Sequence, residues 1–266
     1  MDIKYYKEKW NEDIKRKVQK ERFWDERADE FNERIKREER LDPVKFLFQK
    51  GYIDKESKIL DIGCGPGKYS LKFKEKCRKV IGIDISNKMI SKAKENALKN
   101  SKEIEFKKVF WEDVNLDKLD WVNEFDLVFA SMCPGINSFK TLNKMINASK
   151  GSCFLSGFVE RKDLLWDSVR KMVNEDKKSR KDKIYYSFNI LWQMGYFPEI
   201  KYINKNWEHN WSIDYIIELY ISRIEMKRKL KDFEKENIAN FLKSKSNNGF
   251  VKEKINAKIA WLYWNV

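Results

Sequence analysis

Apolar positions follow two rhythms along this chain. The segments KILDI at 58–62, KVIGID at 79–84, EIEFKKV at 103–109, FDLVFA at 125–130 and SCFLSGF at 152–158 are short and strand-sized. Compact runs rich in Val, Ile, Leu and Phe suit strands covered on both faces. Between them, across 43–50, 68–76, 87–99 and 138–148, apolar residues recur every three or four positions, the period of a helix with one covered face. Asp42-Pro43 supplies the first of these helices with a cap and a proline in its first turn. Strands alternating with helices predict a doubly wound α/β fold, a mostly parallel sheet with right-handed crossovers.

Past residue 158 the alternation loosens. Helices are expected over 163–176 and 187–196, the second closing at Gly195 before Pro198, and EIKYINKNW at 199–207 alternates as a sixth strand. Two further helices are expected over 212–229, with Ser212 and Asp214 at its start, and 232–245, opened by Asp232; the end, 254–266, is strand-like. At the other terminus, residues 4–40 are densely charged, with Tyr5, Tyr6, Trp10, Ile14, Val18, Phe23, Trp24, Phe31 and Ile35 spaced like helix faces. The organisation expected is a helical extension over 1–41 and one domain over 42–266, with a helical insertion at about 208–250 before the last strand. There are no internal repeats.

The first strand runs into a turn stripped of side chains. Asp61 is followed by Gly63, Gly65 and Gly67, with Cys64, Pro66 and Lys68 interspersed. Such a turn lets backbone N–H groups approach a ligand closely. About 20 residues on, the second strand ends in Asp84, placed to accept hydrogen bonds from a ribose. The pair points to an adenosine-containing ligand. A dinucleotide turn needs a third glycine one residue later, where Lys68 stands.

The D-x-G-x-G-x-G arrangement resembles the first motif of the Rossmann-like (class I) S-adenosylmethionine-dependent methyltransferases. The likeness runs over about residues 22–266, with its specific motifs in 59–135. It implies a seven-stranded sheet whose last strand is antiparallel, inserted between the fifth and sixth. It also implies that Gly63, Cys64, Gly65 and Gly67 pack on the methionine part of the cofactor, and that Asp61 helps fix its ammonium. Asp84, Ile85 and Met89 are expected along the adenosine. An acid after the third strand, Asp113 first and Glu112 second, is expected at the adenine amino group with Val114 beside it. Ser131, after the fourth strand, completes the cofactor contacts. Trp24 and Phe31 match the stretch where aromatic rings close over the cofactor in similar enzymes, and cation–π attraction to a sulfonium there is worth about 0.5–2 kcal/mol; plain helix packing is the competing reading.

Residues Ser131-Met132-Cys133-Pro134 stand where amino-group methylases of adenine or glutamine carry their amine clamp, so that clamp is absent. The Pro-Cys nucleophile of cytosine-5 methylases appears here in reverse order, and no carboxylate cluster for magnesium follows the fourth strand. A small-molecule acceptor remains, in a pocket partly lined by Met132 and Cys133. His209, the only histidine, is expected in a loop after the sixth strand, as a pocket residue and the one weak candidate for a base; a bystander is the plainer reading. Many relatives need no catalytic side chain.

Composition narrows the partners. Net charge is +14, from 56 basic and 42 acidic residues, which permits nucleic-acid binding. Lysine is spread along the whole chain, though, and the densest basic run, KKSRKDK at 177–183, is expected in a surface loop. An RNA or DNA methyltransferase is therefore the alternative, along with a non-catalytic protein that keeps the cofactor turn. Four cysteines without C-x-x-C spacing read as reduced thiols, and no metal site is expected. No apolar run is long enough to span a membrane and no leader is visible, so the expected compartment is the cytoplasm. Oligomeric state is not legible.

Overall fold

The computed structural model describes residues 2–10, 17–36, 41–174 and 182–266. The apolar runs form β1 (Lys58–Ile62), β2 (Lys79–Asp84), β3 (Glu105–Lys108), β4 (Phe125–Ala130) and β5 (Ser149–Asp163). With β6 (Glu199–Ser212) and β7 (Phe250–Asn265) they make one sheet in the order β3-β2-β1-β4-β5-β7-β6. β7 is antiparallel to both neighbours, β5 and β6, while the five earlier strands are parallel.

Helices cover both faces because both carry apolar side chains. On one, Leu60, Ile62, Ile83, Val128, Leu155 and Trp264 pack with residues of α7 (Phe139–Ala148) and α9 (Asp182–Gln193). Tyr6, in the middle of α1 (Ile3–Lys9), and Trp10, just after it, belong to this same core. On the other face, Ile59, Leu127, Phe129, Phe154 and Trp261 pack with Val44 and Leu47 of α4 (Pro43–Gln49) and Phe73 of α5 (Lys68–Lys74). Asp42 caps α4 by accepting from the Val44 N–H at 2.8 Å. α6 (Asn87–Lys99) packs by Ile90, Ala93 and Ala97 against Phe106 of β3.

The last three strands run longer than the sequence led us to expect. β5 continues to 163 rather than 158, β6 to 212 rather than 207, and β7 starts at 250 rather than 254. Their extra residues pair with one another, Asp163 and Trp207 both opposite Ile255 and Ser212 opposite Phe250. Because β5 runs parallel to β4, this ribbon projects past the carboxyl edge of the sheet, where open α/β folds bind ligands. α8 (Leu164–Met172), α10 (Ile213–Glu225) and α11 (Asp232–Ser244) cover it through a separate core that includes Trp166, Val169, Ile216, Tyr220, Leu242 and Val251.

Other boundaries are corrected too. The helical insertion spans 213–244 rather than 208–250, and the Ser212 side chain makes no capping bond. The helices expected at 163–176 and 187–196 are α8 and α9, the latter starting earlier. The N-terminal stretch divides into α1, α2 (Lys17–Asp25), α3 (Ala28–Glu33) and a 3-10 turn at Arg34–Lys36. Ile14 and residues 177–181 of the basic run lie outside the described residues. Among the described residues no helix is long and apolar enough to cross a membrane.

Candidate functional site

The three glycines of the β1–α5 turn all have left-handed backbones, φ +70° at Gly63, +54° at Gly65 and +90° at Gly67, a region that penalises any side chain. Their surroundings differ. A Cβ on Gly63 would lie 2.6 Å from Cys133 Sγ, so packing alone keeps it bare, and one on Gly67 would crowd the Phe106 ring at 3.3 Å. At Gly65 the nearest atom to an added Cβ is the Met89 sulfur at 4.0 Å. Its open side serves no neighbour in the protein. The turn is tied to β2 by the N–H groups of Gly63 and Cys64, which donate to the Ile83 carbonyl at 2.8 and 3.0 Å.

Two acids flank this turn. Asp61 is 1% exposed and accepts from Ser70 Oγ at 2.6 Å. Burial pushes its carboxyl up to about 7, opposed by the Ser70 bond and reinforced by the charge of Asp84. Asp84 accepts from the Gly65 N–H at 3.0 Å and the Ser86 N–H at 2.9 Å. Burial raises it to about 6 against those two donors. A carboxylate has about four acceptor positions, so capacity remains for a ligand hydroxyl. Ile85 follows, half-buried, and Met89 is buried in the first turn of α6.

The N-terminal helices close onto this rim. Ser86 caps α6 by accepting from Met89 N–H at 3.0 Å and donates its own hydroxyl to Asp25 of α2 at 2.5 Å. Asp25 also accepts from the Lys88 N–H at 3.1 Å. Asn96 of α6 donates to Asn32 of α3 at 2.7 Å and to the Pro66 carbonyl at 3.0 Å. Trp24 stands edge-on to Phe31, with ring centroids 5.6 Å apart, and edge-on to Phe23 at 5.0 Å. Trp24 and Phe31 are therefore packed on each other, beside the rim.

Of the two acids after β3, the one held inside is Glu112. It is 7% exposed and accepts from Asn137 Nδ2 at 3.0 Å, and burial raises its carboxyl above the usual range. Asp113 is exposed and paired with Lys17 of α2, although the sequence put it first. Val114 is buried in the core beneath. Lys144 of α7 braces this loop by donating to the carbonyls of Trp111 and Glu112 at 2.9 and 3.1 Å.

After β4 the backbone turns back at Met132, φ +55°, whose N–H donates to Ser156 Oγ at 2.9 Å. Ser131 Oγ lies 3.1 Å from the same hydroxyl. Ser156 of β5 escaped sequence reasoning; a serine inside an otherwise apolar strand was the available signal. Cys133 is buried against Gly63, and burial pushes its thiol up to about 12, which leaves it unreactive at neutral pH. Its carbonyl accepts from Lys183 Nζ at 2.6 Å. Cys64 is likewise buried and raised.

His209 does not stand in a loop. It lies within β6, opposite Glu253 of β7, with its ring stacked on Trp211 at 4.6 Å. The strand persists because Trp207, His209 and Trp211 fall on one face, the alternation running on to Ser212. β4, β5 and β7 separate it from the strand that carries the glycine turn. The structure gathers Asp61, the glycines, Asp84, Met89, Glu112, Ser131 and Cys133 along the carboxyl edges of β1 to β4, and places His209 apart. No group of three or more metal-ligating side chains occurs among the described residues.

Residues 53–236 match the model of a family described as a methyltransferase domain. The ribosomal protein L11 methyltransferase of Dictyoglomus turgidum is 34% identical over 124 residues, covering 45% of this chain and 39% of that protein. A ubiquinone biosynthesis O-methyltransferase of Pelagibacter ubique is 29% identical over 179 residues, 57% of this chain and 75% of that one. The match thus spans less than half the length of the first of these relatives. Among solved structures, the magnesium protoporphyrin IX methyltransferase of Synechocystis PCC 6803, crystallised with SAH, superposes with a TM-score of 0.53 at 14% identity, over 91% of this chain and 98% of that one. At that identity the likeness speaks for the fold alone.

Proposed function

This chain belongs to the methyltransferase-domain family, and on that premise we propose that it transfers the methyl group of S-adenosylmethionine to a small-molecule acceptor. The observation that carries the reading is Gly65. Its backbone is strained for any side chain, yet no neighbour fills the space a side chain would take. Bare backbone facing open space beside the Asp84 carboxylate fits a nucleoside ligand better than it fits packing.

The cofactor brings an activated methyl on a sulfonium centre. The residues of the chain bind and orient. Gly63, Cys64, Gly65 and Gly67 offer backbone to the methionine part, while Asp61, near the end of β1, meets its ammonium. Asp84 takes the ribose, with Ile85 and Met89 along the nucleoside. Glu112, held inward by Asn137, is the better placed of the two adenine acids, since Asp113 is engaged by Lys17; Val114 lies beneath. Ser131, Met132 and Cys133 shape the acceptor side. Trp24 and Phe31, with α2 docked on Ser86, exclude water from the rim. We assign no side chain as a base: holding nucleophile and methyl in line at about 3–3.5 Å can itself supply roughly 7–11 kcal/mol.

The β5–β6–β7 ribbon, covered by α8, α10 and α11, projects past the carboxyl edge of the sheet, the side from which a small acceptor would approach the cofactor. The relatives named above differ in what their names mention, ribosomal protein L11 in one and ubiquinone biosynthesis in the other, so their likeness supports the cofactor half rather than any one acceptor. Cys64, Cys77, Cys133 and Cys153 are all free and buried, which suits a reducing compartment, and we place the protein in the cytoplasm. The test is a metabolite screen that reads adenosylhomocysteine release. Formation above the no-enzyme blank with at least one small acceptor supports the proposal; release only with RNA or DNA, or none with any fraction of cell extract, refutes it.

A further inference from the structure

Three arginines from separate parts of the chain converge where the ribbon meets the N-terminal helices. Arg27 lies between α2 and α3, Arg161 near the end of β5, and Arg223 on α10. Arg27 is 5% exposed, and the side chains of Arg161 and Arg223 are 14% and 23% exposed. Each keeps a buried nitrogen without a hydrogen-bond partner: Nε of Arg27, Nε of Arg161 and Nη1 of Arg223. Burial lowers the guanidiniums of both Arg223 and Arg27, and their proximity adds to it, Arg161 lowering Arg223 further and Arg223 lowering Arg27.

The acids nearby do not satisfy them. Arg161 Nη2 donates to Asp163 at 2.8 Å, but the other oxygen of Asp163 accepts from the Trp166 N–H at 3.1 Å to cap α8. Arg223 stands 3.9 Å from Glu253, whose oxygens already accept from Tyr220 OH at 2.7 Å and Trp211 Nε1 at 2.9 Å. Arg27 spends its two terminal nitrogens on the Phe23 carbonyl at 2.7 Å and on Ser222 Oγ at 2.9 Å, with the more exposed Glu26 at 3.9 Å. Around Arg161 and Arg223 the buried carboxylates are Asp163 and Glu253, both already engaged, while Arg27 has Glu26 at 3.9 Å and Glu30 nearby. Buried cations with spare donors are costly unless something accepts from them.

We propose that Arg223, flanked by Arg161 and Arg27, binds an oxyanion carried by the methyl acceptor, a carboxylate or a phosphate monoester. The proposal rests on the methyl-transfer reading for what the oxyanion belongs to. Its position fits that role. Two residues before Arg27, Asp25 is bonded to Ser86 on the cofactor rim, and five residues before Arg161, Ser156 is bonded to Ser131 and Met132. Both legs of the cluster therefore start at the cofactor edge. A guanidinium fork matches the geometry of a planar or tetrahedral oxyanion in a way an ammonium does not. Trp166 and Tyr220, whose ring centroids lie 5.5 and 5.4 Å from the Arg223 guanidinium, hold it in place.

The experiment is calorimetric titration of the full chain, saturated with adenosylhomocysteine, with inorganic phosphate and separately with benzoate in dilute chloride buffer. Saturable binding of at least one anion is expected. A tighter phosphate isotherm would mark a phosphomonoester acceptor and a tighter benzoate isotherm a carboxylate. Arg223→Gln should weaken the better anion about tenfold or more, and Arg223→Lys should weaken it less, with adenosylhomocysteine affinity within about twofold of wild type in both as the check on folding. Should Arg223→Gln not fold, Arg161→Gln serves the same comparison. No saturable binding of either anion to wild type, or equal binding by the variants, overturns the proposal. Failure of adenosylhomocysteine itself to bind refutes the methyl-transfer reading instead, and the anion titration of the unliganded chain then judges the arginine site alone.

Discussion

Alanine at Gly63 and at Gly65 should separate what the turn needs for packing from what it needs for a ligand. Both positions have left-handed backbones, and an L-residue there pays about 1–2 kcal/mol. At Gly63 the new Cβ also strikes Cys133, 2.6 Å from Sγ and 2.9 Å from Cβ. Overpacking of that kind adds about 1–3 kcal/mol, so Gly63→Ala should lose about 2–5 kcal/mol of stability, summing these contributions. Pairing it with Cys133→Gly removes the struck atoms and should recover the steric share. At Gly65 the Cβ meets nothing closer than 4.0 Å, so the stability loss stays near 1–2 kcal/mol, roughly the backbone cost alone. Adenosylhomocysteine should nonetheless bind Gly65→Ala about tenfold more weakly or worse, since the methyl occupies space left open for it. Urea denaturation gives the first quantity and calorimetric titration the second. Gly65→Ala binding the ligand as wild type does, or Gly63→Ala proving the milder of the two in urea, would refute the argument.

Other expectations follow from charge and position. Burial raises Asp61 to about 7 and Asp84 to about 6, and the ligand favours both ionised, so adenosylhomocysteine affinity should fall as pH drops from 8 through 6. Without ligand the sign reverses: a raised carboxyl stabilises the fold below its unfolded pKa and loses that contribution as pH rises through about 7. The difference in melting temperature between wild type and Asp61→Asn should therefore depend on pH across that window; parallel profiles would contradict it. Glu253→Ala strips the acceptor from Tyr220 and Trp211 and the counter-charge from Arg223, and should cost about 3–5 kcal/mol in urea denaturation; a loss under 1 kcal/mol, roughly the worth of an exposed pair, would contradict that. His209→Ala should leave turnover of an acceptor found by screening within about threefold of wild type, as its place within β6 implies. A drop of 100-fold or so with loss of the acidic limb of the pH profile would restore it as a base.

What could be read from the sequence was governed by backbone sterics and by period. The glycine turn was legible because three left-handed positions within five residues strongly favour glycine. The parallel strands were legible because burial on both faces leaves uninterrupted apolar runs. The ribbon was harder. In β6 the alternation passes through Glu208, His209 and Asn210, which read as a loop until β7 is seen opposite. In β7 the buried Glu253 breaks the apolar rhythm of Val251 and Ile255, and partners from other elements, Tyr220 and Trp211 by hydrogen bonds and Arg223 by charge, make its burial tolerable. The same limit separates Glu112 from Asp113: adjacent acids look alike, and Asn137 and Lys17 decide which faces inward. Among 56 basic residues, nothing local marks Arg27, Arg161 or Arg223.

The claim on which the account turns is that a sulfonium nucleoside sits between the Gly63–Gly67 turn and Asp84. Titrating S-adenosylmethionine into the purified full chain by calorimetry tests it most directly. The account predicts one molecule bound per chain with a dissociation constant in the micromolar range, and loss of that isotherm in Asp84→Ala with the fold retained. A well-folded wild-type chain giving no heat of binding up to millimolar ligand would contradict it.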